Sequence, residues 1–261
     1  MLMIHSILFN IIKSLLIGVI FISSITVSGQ LARDSKLEAS TKILVKVGMG
    51  YDKPMADLAD RFGGNINFHM GFERLSVSNW IISTDFTYRF GSDVREDVLA
   101  GFRLPTDQFL ATDGLPADAF LRSRGASLKI GIGKVIGLHT KSPQSGIRLD
   151  IGAGILSHYI RVQDENQAIN QIFGQYKNAY DRLTRGFSIT EYIGYQYLST
   201  DGNLNFNIGF EFNQAFTSGV RLVDFTTNEL SPNGRKDFLS GFKVTWLIPL
   251  YSGSKGEQIY Y

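Results

Sequence analysis

Hydrophobic positions recur at every second residue along most of this chain, which is the period of a strand rather than of a helix. The first run sets Ile43, Val45, Val47 and Met49 on one face against Lys42, Leu44, Lys46, Gly48 and Gly50. A second alternates Ile66, Phe68, Met70 and Phe72 with Asn67, His69, Gly71 and Glu73. In the third, Trp80, Ile82, Thr84, Phe86, Tyr88 and Phe90 oppose Ile81, Ser83, Asp85, Thr87 and Arg89. The fourth sets Leu128, Ile130, Ile132 and Ile136 against Ser127, Lys129, Gly131 and Gly133. A fifth places Ile147, Leu149, Ile151, Ala153 and Ile155 opposite Arg148, Asp150, Gly152 and Gly154, and its continuation through Leu156, Ser157 and His158 is ambiguous. The sixth runs through Phe187, Ile189, Ile193, Tyr195 and Tyr197, with Glu191 breaking its apolar face. The seventh alternates Leu204, Phe206, Ile208, Phe210 and Phe212 with Asn205, Asn207, Gly209, Glu211 and Asn213. The last aligns Phe238, Phe242, Val244, Trp246, Ile248 and Leu250 against Gly241, Lys243 and Thr245.

The connections alternate too. Short polar turns near 74–79, 139–145 and 199–202 follow the second, fourth and sixth runs. Longer segments near 52–63, 91–125, 161–186 and 218–236 follow the odd ones. This rhythm of short and long connections belongs to membrane barrels with short periplasmic turns and long outer loops. The expected fold is therefore all-β: a closed antiparallel up-and-down transmembrane β-barrel of about eight strands, with both ends on the periplasmic side.

Alternation alone leaves open which face is outside, since a soluble lipocalin-like barrel or a β-sandwich alternates as well. Volume favours the membrane barrel. An interior of about eight strands is only wide enough for side chains to fill, and the Trp, Phe, Tyr, Ile and Leu set would overfill it. Aromatic residues also gather near the strand ends. Tyr51 and Tyr88, with Phe90, Phe187 and Phe238, fall toward one rim, and Trp80, Tyr197, Trp246 and Tyr251 toward the other, as two girdles at the lipid–water boundaries. The inward set then carries Lys46, His69, Asp85, Arg89, Lys129, Arg148, Asp150, Glu211 and Lys243. Buried charges need partners, so Lys42, Lys46, Arg89, Lys129, Arg148 and Lys243 are expected to pair with Glu73, Asp85, Asp150 and Glu211 as a structural filling.

Composition agrees with this picture without deciding it. Hydrophobic residues make up 44% and charged residues 19% of the 261, values that two cancelling faces share with an ordinary soluble protein. A net charge of +2 with no basic block gives no reason to expect nucleic acid. Lys13 precedes the apolar run 14–22, and Val27 and Gly29 stand at the spacing of a cleavage site before Gln30. Residues 1–29 thus read as a cleavable signal peptide, against the alternative of a membrane anchor over residues 4–27, and residues 30–261 as the barrel with a short periplasmic tail from residue 252. There is no cysteine, so no lipid anchor on a cysteine, no disulfide and no thiolate metal site is available.

Candidate chemistry is thin. The four histidines show no metal-ligand spacing, and no cofactor is expected. Ser157 and His158 suggest a lipid-modifying enzyme, but adjacent strand residues point to opposite faces. Gly48-Met49-Gly50 and Gly131-Ile132-Gly133 lie inside strands with no helix start behind them to bind phosphate. The long loops are the better place for function. Segment 91–125 carries Leu99, Phe102, Leu104, Phe109, Leu110, Leu115 and Phe120, and segment 161–186 has a helical stripe of Ile169, Ile172, Phe173 and Tyr176. Two readings remain: the loops cap the barrel mouth, or they dock a protein or glycan.

The stretches Gly29-Gln30, Arg185-Gly186-Phe187-Ser188 through Gly194-Tyr195-Gln196-Tyr197, Gly209-Phe210-Glu211-Phe212 and Gly241-Phe242-Lys243-Val244-Thr245-Trp246 together resemble small outer-membrane barrels of the Bacteroidota type. The last stretch is similar to the signal read by the barrel assembly machinery, although Leu239 stands where a polar residue is usual and the chain continues to Tyr261. The resemblance implies outer-membrane lipid and that machinery as partners, a non-enzymatic role, and a place as an accessory of an envelope machine such as type IX secretion. Within the same reading stand two alternatives, an outer-membrane lipid enzyme near His158 and a secreted barrel with an apolar ligand.

Overall fold

The computed structural model describes residues 40–106, 108–111, 114–140, 142–164, 178, 180–199, 204–221, 223–224, 229–230 and 234–250. The expected signal peptide, the C-terminal tail with Tyr251, and the stripe at 169–176 lie outside them. Eight long strands close into one antiparallel ring: β1 Lys42–Ala56, β2 Asn65–Leu75, β3 Trp80–Gly91, β4 Phe120–His139, β5 Ser142–Gln163, β6 Thr184–Leu198, β7 Asn205–Gly219 and β8 Arg235–Leu250. Each pairs with its chain neighbour, and β1 closes on β8, so the fold is the up-and-down barrel the alternation implies.

Register fixes the shape. Starting at Lys53 and following paired residues through Ser240, Phe212, Glu191, Ile151, Ile132, Ile82 and Arg74 leads back to β1 at Ile43, a stagger of ten residues per circuit. With ~3.3 Å rise per residue and ~4.8 Å between strands, that stagger gives a tilt of about 40° and a radius of about 8 Å. A cylinder so narrow leaves room for side chains but no aqueous pore.

The apolar set faces out. Met70, Phe72, Ile82, Leu128, Ile130, Ile151, Ile193 and Phe210 are all exposed, while their polar neighbours Asn67, His69, Asp85, Ser127, Arg148 and Asn207 are buried. This is the inverse of a lipocalin, whose apolar set lines a cavity, so the soluble ligand-binding alternative does not fit the fold.

Several strands run longer than their polarity contrast. β1 extends through residues 52–56, where a loop is expected, and β5 continues to Gln163 with Leu156, His158 and Ile160 pointing inward. At the end of β1, Ala56 adopts φ 52°, a conformation that L-residues rarely take. It folds the chain inward into the one-turn helix α1, Asp57–Arg61. The expected loops also hold structure of their own: a 3₁₀ turn at Ala100–Phe102 and two-residue ribbons pairing Phe109–Leu110 with Pro116–Ala117 and Val223–Asp224 with Glu229–Leu230.

Candidate functional site

Three layers fill the interior. At the short-turn end, Leu44, Leu75, Ile81, Val135, Leu198 and Leu247 point inward and form a dry plug. Gln144 ties this end together, donating to the carbonyls of Ser40 (3.0 Å) and Ser76 (3.2 Å) and accepting from the Lys42 ammonium. Lys42 is thus held by an amide and not by the carboxylate expected for it. In the adjoining turn Asn79, at φ 64°, donates to the Pro143 carbonyl at 2.8 Å.

The middle layer is ionic. Arg148 is the centre of its lower half. Its guanidinium takes both oxygens of Glu73 (2.7 and 3.2 Å), reaches Asp150 at 2.8 Å, and donates to the Gln196 side-chain carbonyl at 2.8 Å. Lys46 lies 2.5 Å from Asp85 and 3.7 Å from Glu73. In the upper half Glu211 gathers Lys129 (2.5 Å), Lys243 (2.7 Å) and Arg89 (3.9 Å), and Arg89 also holds Asp52 at 2.7 Å. The lower half has one carboxylate in excess and the upper half one cation, so the whole balances as five against five. His69 completes the layer, with Nε2 2.9 Å from the Thr245 hydroxyl and Nδ1 3.3 Å from the Asn67 carbonyl oxygen. Glycines make the room: a Cβ on Gly133 would stand 1.8 Å from an Asp150 oxygen, and one on Gly241 2.0 Å from Asp52. The remaining cavity measures about 30 Å³, room for one or two waters.

The third layer caps the long-loop end. Leu58 and Phe62, at and just after α1, pack with Val98, Leu99 and Phe109 of the β3–β4 loop and with Leu156, Ile160 and Leu239 of the wall. Arg61, Glu96 and Arg182 clamp three segments over this core: Glu96 takes Arg61 on one oxygen and Arg182 on the other, each at 2.7 Å. Burial pushes the Glu96 carboxyl up, but the two guanidiniums outweigh it and hold it below its ordinary 4.5. Arg61 also donates to the Thr184 hydroxyl at 2.9 Å.

Of the nine inward residues named from sequence, all face this interior, and eight join its ion pairs while His69 bonds to neutral groups. Of the girdle residues, Tyr51, Trp80, Tyr88, Tyr197 and Trp246 are on the outer surface. Sequence reasoning missed Asp52 and Asp237. Asp52 falls in the segment whose sequence reads as a loop, although it continues the inward series of Gly48 and Gly50; Asp237 sits one place before Phe238 and continues the inward series of Gly241.

Asp237 belongs to the one arrangement among the described residues with a hydrolytic look. His158 Nε2 donates to its Oδ2 at 2.7 Å, Phe62 covers the imidazole edge-on, and His158 is 4% exposed. Thr217 donates to the same carboxylate oxygen at 2.5 Å instead of to the histidine. The other ring nitrogen meets no described partner, and Ser157 lies on the outer face opposite Arg185 and Ala126. A nucleophile on the free ring nitrogen, which such catalysis requires, is absent among the described residues. Nor do those residues hold any group of three His, Cys, Asp or Glu placed to bind a metal.

No family model and no curated protein matches the chain. Among solved structures it is similar to the attachment invasion locus protein Ail of Yersinia pestis, with a TM-score of 0.45 and 10% identity over 80% of this chain and 99% of that one. Neisserial surface protein A gives a TM-score of 0.39 and 12% identity, covering 81% and 99%. The outer membrane protein OprG of Pseudomonas aeruginosa gives 0.35 and 10%, covering 83% and 97%.

Proposed function

We propose that this protein is an outer-membrane β-barrel, delivered by a signal peptide over residues 1–29, that serves as a sealed, non-enzymatic structural or accessory component of the envelope. One observation carries the reading: a ring closed by hydrogen bonds turns an apolar band outward all around, broken at Glu191, and keeps a balanced set of charges inside. In hydrocarbon every backbone polar group must be satisfied within the protein, which a closed ring achieves. In water the same surface would be a very large exposed apolar patch. The charge-balanced ion layer between two apolar clusters supports a structural role for the interior, because it offers an ion neither an open path nor a net charge.

In this reading the barrel assembly machinery inserts the chain, and the outer loops or the tail from residue 252 engage an envelope partner. Leu110, Leu115 and Phe120, which stay exposed while their neighbours Leu99 and Phe109 are buried, support the loops as the engaging part. The Bacteroidota-type resemblance extends the proposal to an accessory of a machine such as type IX secretion. Membrane fractionation with gel migration tests the core of it. The protein should sediment with outer membranes, require detergent, and migrate differently before and after boiling. Recovery in the soluble periplasm or medium would overturn it.

A further inference from the structure

Glu191 is the one acid on the outer wall of β6, and it sits where hydrocarbon is expected. Its neighbours across the ladder are Ile151 and Phe212, and Ile189 and Ile193 flank it on its own strand. In the staggered circuit it lies three strands on from Lys53 and five before Ile43. At the tilt derived above each step descends about 3 Å, so Glu191 is roughly 9 Å below Lys53 and roughly 16 Å above Ile43. That is close to the middle of a ~25 Å apolar band. Its carboxyl makes no hydrogen bond or ion pair with a described residue, although it is exposed. An ionisable group at this depth is costly unless something hydrogen-bonds to it.

The surface on either side of Glu191 is of opposite shape. Toward β5, β4 and β3 lies an apolar groove of about 560 Å³, with Gly131 and Gly152 in its floor and Ile82, Ile151 and Phe187 in its walls. Toward β7 and β8 stands a ridge of Phe212, Phe210 and Phe242, the last two packed edge to face with centroids 5.4 Å apart. The two features overlap in depth: along the tilted row Phe212 stands roughly 6 Å above Ile151, and Ala153 of the groove, two residues higher on β5, comes level with it.

From this we infer that the chain associates with a second copy of itself in the membrane, through the β5–β6–β7 wall, with the two Glu191 carboxyls hydrogen-bonded across the two-fold axis. Barrels inserted by one route share one orientation, so an axis relating two of them runs along the membrane normal. A residue on that axis meets its own copy at its own depth, and one proton between the two carboxyls suffices for the bond. The same rotation brings the groove side of each copy against the ridge side of the other. A two-fold interface must be self-complementary in this way. The glycine floor lets the phenylalanines approach closely, as small residues do in membrane interfaces generally.

The inference rests on the outer-membrane reading, and its test separates the two. The chain has no cysteine, so single thiols can be placed cleanly. Ile193→Cys lies on the proposed wall; Met70→Cys lies at similar depth on β2, the opposite wall. In isolated outer membranes a short thiol-to-thiol cross-linker should give a covalent dimer from Ile193→Cys and not from Met70→Cys. In reconstituted vesicles Glu191→Leu should weaken dimerisation about three- to tenfold, the scale of a hydrogen bond within a membrane, while Glu191→Gln retains it. Both variants should keep heat-modifiable migration, which shows that the barrel has folded. Monomer alone from Ile193→Cys in a folded, membrane-inserted protein would overturn the dimer and leave the outer-membrane reading standing. A cross-linked product of another mass would also overturn it, in favour of a different membrane protein on this wall. Absence from the membrane fraction would overturn the outer-membrane reading itself.

Discussion

Arg148→Met removes the cation at the centre of the lower ion cluster while keeping an unbranched apolar stem of the same reach as the arginine's Cβ–Nε portion. Arg148 is 1% exposed and makes all its polar contacts inside the barrel, to Glu73, Asp150 and Gln196. Without it, among the described residues, Glu73 keeps only Lys46, at 3.7 Å, and Asp150 loses its one ion-pair partner. Removing one member of a buried pair typically costs about 3–5 kcal/mol, because the partner charge stays buried without compensation. Neutralising the stranded partners should restore most of this, so Arg148→Met combined with Glu73→Gln and Asp150→Asn should lie within about 2 kcal/mol of the parent. Urea unfolding in phospholipid vesicles, followed by the fluorescence of Trp80 and Trp246, measures both variants. A single variant within about 1 kcal/mol of the parent, or a triple variant no better than the single, would refute the reasoning.

Three further substitutions probe the other layers. Gly241→Ala should cost about 1–3 kcal/mol in the same assay, since its Cβ would meet Asp52 at 2.0 Å and disturb the Arg89 pair; an unchanged midpoint would show that the site has slack. Phe62→Ala should speed hydrogen exchange in α1 and the adjoining loop while planar bilayers stay non-conducting, because the two lower layers persist; channel openings would contradict the layered seal. Glu96 has a folded-state pKa held below 4.5, so its contribution is complete above that value and is lost as pH falls through the lower folded one. Hydrogen-exchange protection of the cap, referred to the intrinsic rate at each pH, should therefore fall on acidification below about pH 4.5, and Glu96→Gln should already show the loss at neutral pH; a cap indifferent to both would remove the clamp from the account.

Much of the barrel is legible in the sequence because its two faces see different solvents, and the period-two contrast records that difference residue by residue. The contrast fades wherever both faces become apolar. Leu156 and Ile160 point inward against Phe62 and the loop residues, so the upper part of β5 no longer alternates in polarity although its geometry does. The nine inward polar residues could be read from position alone, but their pairing could not. Arg89 finds Asp52 and Lys129 finds Glu211 only through the ring's stagger, across 37 and 82 residues of chain. His158 with Asp237, 79 residues apart, was hidden for the same reason. Glu191 is the opposite case: it is plain in the sequence as a break in the pattern, whereas the groove and ridge beside it are built from strands distant in the chain and leave no local sign.

The central claim, that the apolar wall lies in lipid around a filled interior, is tested most directly by nitroxide labels on single cysteines along that wall. Labels at Val47, Met70 and Phe86, away from the proposed dimer wall, should collide freely with oxygen and hardly with a water-soluble nickel chelate, and a label at Lys236, beyond the band, should show the reverse. Free access of the nickel chelate to the first three positions would place that wall in water and contradict the account.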